Sequence, residues 1–309
     1  MRHVFLINPA AGKHQAAMQL IPQIEAFFQA RGEEYKICVT QQPGHATQMA
    51  RQEAEAGGPV RLYACGGDGT LLETMEGIIG KSNAQITHYP CGSANDYVRM
   101  FPCHEAFSDL EQLADGVCVP ADGILCNGRL ALNICSMGMD ADVANRMSRY
   151  KRWPLVSGPT AYRLGVVETF FHKFGRDLHV TMHTADGVVE RQGRYLFALA
   201  ASGQYYGGGY RGAPQASPFD GLLDFVLIDV IGRLQVPGFL KRYRAGEHIG
   251  TPGCQFFRGT RMEITSAGPA VVNVDGECQT AEHIVFEVLP GAVPFVLPGA
   301  SVPAREISA

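Results

Sequence analysis

The stretch VRLYACGGDGT, residues 60–70, decides the fold of this chain. Its first part, Val60 to Ala64, is a mostly apolar run of the length expected for a strand buried on both faces. The glycines at 66, 67 and 69 let the main chain turn sharply, and an apolar helix to about Ile79 follows. A buried strand that turns through glycines directly into a helix is typical of a parallel sheet covered by helices.

The same alternation of strand and helix continues on both sides of this stretch. Val4–Ile7 and Tyr35–Val39 have strand patterns, and each is followed by a helical pattern. Downstream, Gln85–Tyr89 has a strand pattern, and Pro90–Arg99 is predicted to turn into a helix. Residues 1–120 are therefore predicted to form a doubly wound parallel sheet that binds a nucleotide at the carboxyl ends of its strands.

Beyond about Pro120 the pattern changes to strands and turns. A helix is predicted only at Thr160 to Phe174. Strands are predicted at Leu178–His183, Arg194–Ala200, Leu222–Ile231, Met262–Thr265, Val271–Val274 and Ile284–Val288. Residues 121–289 are thus expected to form an antiparallel β-sandwich-like domain. The segment at about 290–309, with a strand pattern at Val293–Leu297, is expected to return to the first domain.

Composition excludes several classes of protein. The chain has 309 residues, 46% of them hydrophobic, and a mean hydropathy of −0.03, which is typical of a globular protein and argues against disorder. A net charge of −4 argues against a nucleic-acid partner. The nine cysteines have no C-x-x-C spacing, so we expect buried free thiols in a reducing compartment. With no apparent signal peptide or spanning segment, we expect a cytoplasmic protein that can still touch a membrane surface.

Three glycine-containing loops follow predicted strands. NPAAGK, residues 8–13, can offer N–H groups to a phosphate, although taken alone it is better explained as an ordinary strand-to-helix turn. In the loop at 66–70, bare phosphate would repel the carboxylate of Asp68, so Asp68 is expected beside Mg²⁺ or as a proton acceptor. In PCGSANDYVR, residues 90–99, Ser93 and Asn95 are candidate donors, and Asp96 can orient a metal-bound water. Together the loops predict a nucleotide site.

Two clusters of basic residues and one run of glycines are candidates for contact with a membrane or a lipid. The clusters are RMSRYKRW at 146–153 and KRYR at 241–244, and either suits an anionic membrane surface or is simply a solvated face. Gly207–Gly209 permits close approach to a lipid or forms a flexible loop.

The order of these motifs along nearly the whole chain resembles the diacylglycerol kinase catalytic domain family, bacterial lipid kinase type. That family is related to sphingosine kinases and, more distantly, to NAD kinases. The resemblance is carried by Asn8-Pro9-x-x-Gly12, Thr40, GGDGT at 66–70, GSANDYVR at 92–99, NICSMGMDADV at 133–143, GQYYGGG at 203–209, DGLLD at 220–224 and DGE at 275–277.

The resemblance implies an ATP-dependent kinase that transfers the γ-phosphate to a membrane lipid hydroxyl, with diacylglycerol as the first candidate. ATP and Mg²⁺ are the implied cofactors, held in a cleft between the domains. The ATP-binding positions are Asn8, Pro9, Gly12, Thr40, Gly66, Gly67, Asp68, Gly69, Thr70, Leu71, Leu72, Ser93, Asn95 and Asp96. The catalytic positions are Asp68 and Glu277, and either can take the proton. A structural Mg²⁺ is implied at Ser217, Asp220 and Leu222. The implied location of the protein is peripheral, at the inner face of the membrane. A homodimer stays an open alternative.

Two positions depart from the family pattern. Leu72 stands where the family usually has Asn, and Ala94 stands where Gly is usual. These departures keep two alternatives open. One is a soluble kinase of the NAD kinase type, and the other is a nucleotide-binding regulator with a decayed site.

Overall fold

The structure, a computed structural model, describes residues 1–12, 16–150, 160, 164–165, 168 and 175–299. The chain divides into two compact units. The first comprises Met1–Asp122 and the segment that starts at Pro290, and the second comprises Gly123–Leu289.

The first unit contains a parallel sheet with helices between its strands. Its strands are β1 (Arg2–Ile7), β2 (Tyr35–Val39), β3 (Val60–Gly66) and β4 (Ala84–Pro90). Its helices are α1 (Ile21–Arg31), α2 (His45–Glu55), α3 (Asp68–Ile78) and α4 (Leu110–Ala114), with short 3₁₀ turns at Met18–Leu20, Val98–Met100 and His104–Ser108. The strand order is β4-β3-β1-β2, and every neighbouring pair is parallel. This arrangement confirms the predicted doubly wound parallel sheet.

The direction of winding reverses between β1 and β3. From β1 the chain passes to β2 on one side, and from β3 it passes to β4 on the other. Ile7 pairs with Cys65, and Gly66 pairs with Pro90, so these strands end at one edge. In open α/β sheets such a reversal point is where ligands bind. The sheet is rigid there because all seven residues of β3 are buried.

The second unit is built of antiparallel strands. They are β5 (Val117–Cys126), which begins in the first unit, β6 (Arg129–Ala131), β7 (Ile134–Gly138), β8 (Arg176–Thr184), β9 (Gly187–Ala201), β10 (Leu223–Asp229), β11 (Cys254–Val274) and β12 (Glu277–Leu297). Its helices are α5 (Met139–Tyr150) and α6 (Val236–Ala245), the latter preceded by a 3₁₀ turn at Arg233–Gln235. Alternate residues of β9, such as Ala198 and Leu199, contribute to two separate hydrophobic clusters because side chains of a strand point to opposite faces.

The last part of β12 lies in the first unit. Phe295 pairs in parallel with Ile86 of β4, and Thr87 Oγ1 donates a hydrogen bond of 2.9 Å to the carbonyl of Val296. The strand pattern at Val293–Leu297 therefore belongs to the far end of a 21-residue strand. The pattern at Ile284–Val288 belongs to the same strand.

Several local expectations were wrong. Pro90–Arg99 does not lead into an α-helix, because Asn95 has a left-handed φ of 52° and Phe101, which precedes a proline, is extended. The patterns at 262–265 and 271–274 are parts of one strand, β11, with an irregular register between Thr265 and Ala270. Not every cysteine is buried, since Cys103 is exposed. The helix predicted at Thr160–Phe174 falls largely outside the described residues.

Candidate functional site

Three loops meet at the carboxyl edge of the parallel sheet. The Nδ2 of Asn8, just after β1, donates a hydrogen bond of 3.1 Å to Thr70 Oγ1 in α3. The main-chain N–H of Thr40, just after β2, donates to the carbonyl of Ile7 at 2.8 Å. These bonds join the loops that follow β1, β2 and β3 across the reversal point.

Asp68 also holds a fourth loop, the one that follows β4, although that loop lies more than 20 residues further along the chain. Its two carboxylate oxygens accept hydrogen bonds from the main-chain N–H groups of Asp96, at 3.0 Å, and Tyr97, at 3.1 Å. The carbonyl of Gly66 accepts two more, from Cys91 at 2.8 Å and Gly92 at 3.0 Å. The GGDGT loop thus sets the course of residues 91–97.

Two glycines let these loops come close together. A Cβ at Gly12 would lie 2.4 Å from the carbonyl oxygen of Cys91, and Gly12 has a φ of +76°. A Cβ at Gly92 would lie 2.5 Å from the Cα of Gly67. Gly69 differs, because a Cβ there would meet nothing within 4 Å and the residue is exposed. The loops are therefore packed against one another on one side and accessible at Gly69.

The start of α3 suits an anion. Gly67 is the N-cap, and as a glycine it has no side chain that could cap this helix. The N–H groups of a first helical turn and the helix dipole attract negative charge. Ser93 is exposed, and Asn8 and Pro9 are half-buried. These accessible groups are the ones that can contact phosphate or ribose.

Other predicted ATP-binding positions have side chains committed to the protein. Leu71 and Leu72 are buried in α3, so a nucleotide could reach only their main chain. Asn95 uses both of its side-chain atoms on the N–H and carbonyl of Gly92, each at 3.0 Å. Asp96 is buried and lies 3.3 Å from Arg99 Nε. In the structure, Asn95 and Asp96 shape the loop; their contact with nucleotide stays a prediction.

The DGE motif of the second unit is a turn held by its own carboxylate. Asp275 has a left-handed φ of 46°, and its side chain accepts hydrogen bonds from the main-chain N–H groups of Leu132, Asn133 and Ile134. Glu277, two residues on, opens β12 with a side chain that is 67% exposed and forms an ion pair with Arg129. Neither Arg129 nor the anchoring role of Asp275 could be found from the sequence, because both contacts span more than 140 residues.

A buried polar network includes Tyr206, the residue that precedes the glycine run Gly207–Gly209. Tyr206 donates a hydrogen bond of 2.8 Å to Asp140, and its hydroxyl lies 2.8 Å from that of Tyr243 in α6. Burial raises the pKa of the Asp140 carboxyl above its usual range. The only sequence signal for this network was an aspartate within an apolar run, which also suits an ordinary helix start.

The three residues implied as a structural Mg²⁺ site lie in one turn before β10. Asp220 Oδ1 accepts a hydrogen bond from the N–H of Leu222 at 3.1 Å, and Ser217 Oγ accepts one from Phe219 at 3.4 Å. Oxygen ligands of this kind are what Mg²⁺ requires. The resemblance implies main-chain carbonyl ligands at Ser217 and Leu222, so Asp220 would supply the side-chain ligand of this site.

A guanidinium group already neutralises the acids of this turn. Arg258 Nε donates to Asp224 at 2.9 Å, and its Nη1 lies 3.5 Å from Asp220 Oδ2. Burial raises the pKa of Asp224 to about 6, and Arg258 opposes that rise. The turn therefore fits a structural Mg²⁺ poorly, and no step of the mechanism below depends on one.

Comparison with known proteins agrees with this architecture. A family model described as the diacylglycerol kinase catalytic domain matches residues 2–126, and one described as the YegS C-terminal NAD kinase beta sandwich-like domain matches residues 133–297. The second match supports the predicted β-sandwich-like domain.

Relatives of similar length are known. A Pseudomonas aeruginosa protein named "Probable lipid kinase YegS-like" is 30% identical over 96% of this chain and 94% of its own length. A Staphylococcus aureus "Diacylglycerol kinase" is 26% identical over 88% of this chain and 84% of its own. The crystal structure of a diacylglycerol kinase from Bacillus anthracis, 19% identical, shares the fold with a TM-score of 0.69 over 97% of this chain and 98% of that one.

Within the described residues, no helix combines the length and apolarity needed to cross a bilayer.

Proposed function

Because the chain belongs to the bacterial lipid kinases that join a diacylglycerol kinase catalytic domain to a YegS-type C-terminal domain, we propose that it transfers the γ-phosphate of ATP to a membrane lipid hydroxyl. Diacylglycerol, which would become phosphatidate, is the first candidate acceptor. The observation that carries the proposal is the joined set of loops at the reversal point of the parallel sheet, centred on Asp68.

Phosphoryl transfer depends on positioning and on charge neutralisation more than on covalent help from the protein. In the first unit, the N-terminus of α3, where the N-cap is Gly67, and the hydroxyl of Ser93 would bind phosphate oxygens. Asp68 would keep residues 91–97 in place while the nucleotide binds. Mg²⁺, when bound with ATP, would neutralise charge on the phosphates.

The proton acceptor is assigned to Glu277 in preference to Asp68. Both oxygens of Asp68 accept main-chain hydrogen bonds, so protonation of Asp68 would cost contacts that hold the loop. Glu277 is exposed, and within the described ranges its side chain pairs with Arg129. The hydroxyl oxygen of the lipid would form a bond to the γ-phosphorus, its proton would pass to Glu277, and ADP would leave.

The test measures transfer of labelled γ-phosphate from ATP to a total membrane lipid extract. We expect Glu277→Gln to lower kcat by about 10²- to 10⁴-fold, the usual contribution of a general base. Glu282→Gln is the matched control, because Glu282 is an exposed acid on the same strand. Equal product from wild type and Glu277→Gln would disprove the assignment of Glu277.

The same assay separates the rival functions. With NAD in place of lipid, labelled NADP would indicate a kinase of the NAD kinase type. ATP binding by calorimetry without turnover on lipid or NAD would indicate a nucleotide-binding regulator. Either result would overturn the proposed lipid kinase activity.

A further inference from the structure

The two basic clusters of the chain differ in how far their charge is neutralised. In the described part of the first cluster, Arg146 and Arg149 both contact the carboxylate of Glu168, at 2.9 and 2.6 Å. In the second cluster Lys241, Arg242 and Arg244 are exposed on α6, and none has an acidic partner among the residues that the structure describes. Among the described residues, the second cluster therefore presents the stronger uncompensated positive charge.

An exposed apolar side chain lies on the same helical segment. Leu234, in the 3₁₀ turn that leads into α6, is 94% exposed. It precedes Lys241 by seven residues, about two helical turns, so the two side chains project from similar faces. Only the small exposed residues Pro237 and Gly238 lie on that face between them. The segment thus combines one protruding leucine with cations.

Tyrosine completes the surface. The guanidinium of Arg244 lies 5.6 Å from the ring centre of Tyr210. Tyr210 is half-buried and pairs through its main chain with Tyr206 across the Gly207–Gly209 turn. Tyrosine is enriched where proteins meet the headgroup layer, because its ring is apolar and its hydroxyl is polar.

The opposite face of α6 is firmly packed. Tyr243 is buried and stacks on Phe197, with ring centres 5.1 Å apart and planes 2° apart. Its hydroxyl also lies within hydrogen-bond distance of Tyr206.

Residues 230–246 contain no acidic residue; the flanking acids are Asp229 and Glu247. Helix α6 therefore offers a rigid, locally cationic surface.

We propose that this surface, formed by Leu234, Lys241, Arg242, Arg244 and Tyr210 and here called the α6 patch, docks the protein onto an anionic lipid bilayer. Leu234 inserts at the boundary of headgroups and acyl chains, and the cations contact anionic headgroups. The inference rests on the proposed function, since a kinase whose acceptor lies in a bilayer must reach that bilayer. The partner is then an anionic bilayer, and the α6 patch is the surface that contacts it.

The test is co-sedimentation with phosphatidylcholine vesicles that contain or lack phosphatidylglycerol. Lys241→Gln/Arg242→Gln should lower partition into anionic vesicles by about 30-fold, from about fivefold for each cation at the surface. This effect should disappear at high salt. Leu234→Ala should lower partition by up to about 50-fold, and the loss should persist at high salt. Arg51→Gln/Arg194→Gln, which removes two exposed cations on other elements, is the matched control.

The outcomes are distinguishable. Equal binding by wild type and the patch variants, or no wild-type binding to anionic vesicles, overturns the α6 patch as a docking surface. If the same substitutions instead dissociate a dimer in solution, the surface is an interface between two copies and the bilayer proposal is wrong. Kinase activity on detergent-dispersed lipid is measured in parallel. Its absence with vesicle binding intact contradicts the proposed function and leaves the docking surface standing.

Discussion

One carboxylate, that of Asp275, joins the turn that carries Glu277 to the start of β7, and its removal has a predictable cost. Asp275 accepts hydrogen bonds from three successive main-chain N–H groups, at residues 132–134, where the chain enters β7. Substitution of Asp275 by Gly, Asn or Ala tests this anchor. Each variant removes a different part of what the aspartate supplies.

The magnitude follows from the contacts. A hydrogen bond to a charged group contributes about 1.5–3 kcal/mol, and three bonds that share one carboxylate are not fully additive. We therefore expect Asp275→Gly to lower the free energy of unfolding by about 3–5 kcal/mol. Asp275→Ala should cost about 1–2 kcal/mol more, because an alanine at a φ of 46° adopts a left-handed conformation that glycine adopts freely.

Asparagine should be the mildest substitution. It tolerates the left-handed conformation and keeps one side-chain oxygen as an acceptor, but it loses the negative charge. We expect a loss of about 1–2 kcal/mol, from weakening of the charge-assisted bonds. The three variants should therefore rank Asn, Gly, Ala in order of increasing damage.

Urea unfolding at neutral pH measures the free energies, with unchanged m-values as the sign that only stability has changed. Asp186→Asn is the control, because Asp186 also precedes a glycine in a hairpin turn of the same unit. If Asp275→Gly unfolds within about 1 kcal/mol of wild type, below the cost expected for the lost bonds, the carboxylate is not an anchor.

Three further predictions concern other groups. Asp68→Asn should weaken ATP binding about tenfold in calorimetry by loosening the loop at 91–97, whereas an unchanged Kd would contradict that role. Burial lowers the pKa of His248 to about 4 from 6.5, so the folded state binds fewer protons between these values and stability falls as the pH falls through that window. His248→Gln, with stability measured in urea at neutral and mildly acidic pH, should remove about 2 kcal/mol of the acid-induced loss near pH 5; an unchanged pH slope would refute this. Arg258→Gln should make thermal stability rise with added Mg²⁺, by removing the cation beside Asp224, whereas the wild type should melt at the same temperature in Mg²⁺ and in EDTA; a shift of equal size in both proteins would contradict this.

The parallel sheet could be predicted from sequence because each of its signals is local. A buried strand, a glycine turn and an apolar helix lie within about twenty residues around Gly66, and the pattern repeats. The course of Pro90–Arg99 could not be predicted in this way. It depends on main-chain N–H groups of this segment that donate hydrogen bonds to Asp68 and Gly66, which lie more than 20 residues upstream.

The antiparallel half was predicted in class but not in detail. Gly268-Pro269 is a strong turn signal, yet it lies inside β11, a strand of 21 residues. The strand continues through it because Ile264 and Val272, on either side, both pair with β12. Pairing with distant strands therefore overrides a local turn signal here.

The acids of the GGDGT and DGE motifs have separable roles that residue type alone does not reveal. Asp68 accepts two main-chain hydrogen bonds and Asp275 accepts bonds from three N–H groups, so both carboxylates hold loops in place. A proton acceptor must instead change its partners during the reaction without loss of the surrounding structure. Glu277 meets that condition, because its exposed carboxylate pairs with the side chain of Arg129 and can release it when the hydroxyl arrives. We therefore propose Glu277 as the base, with Asp68 and Asp275 as positioning residues.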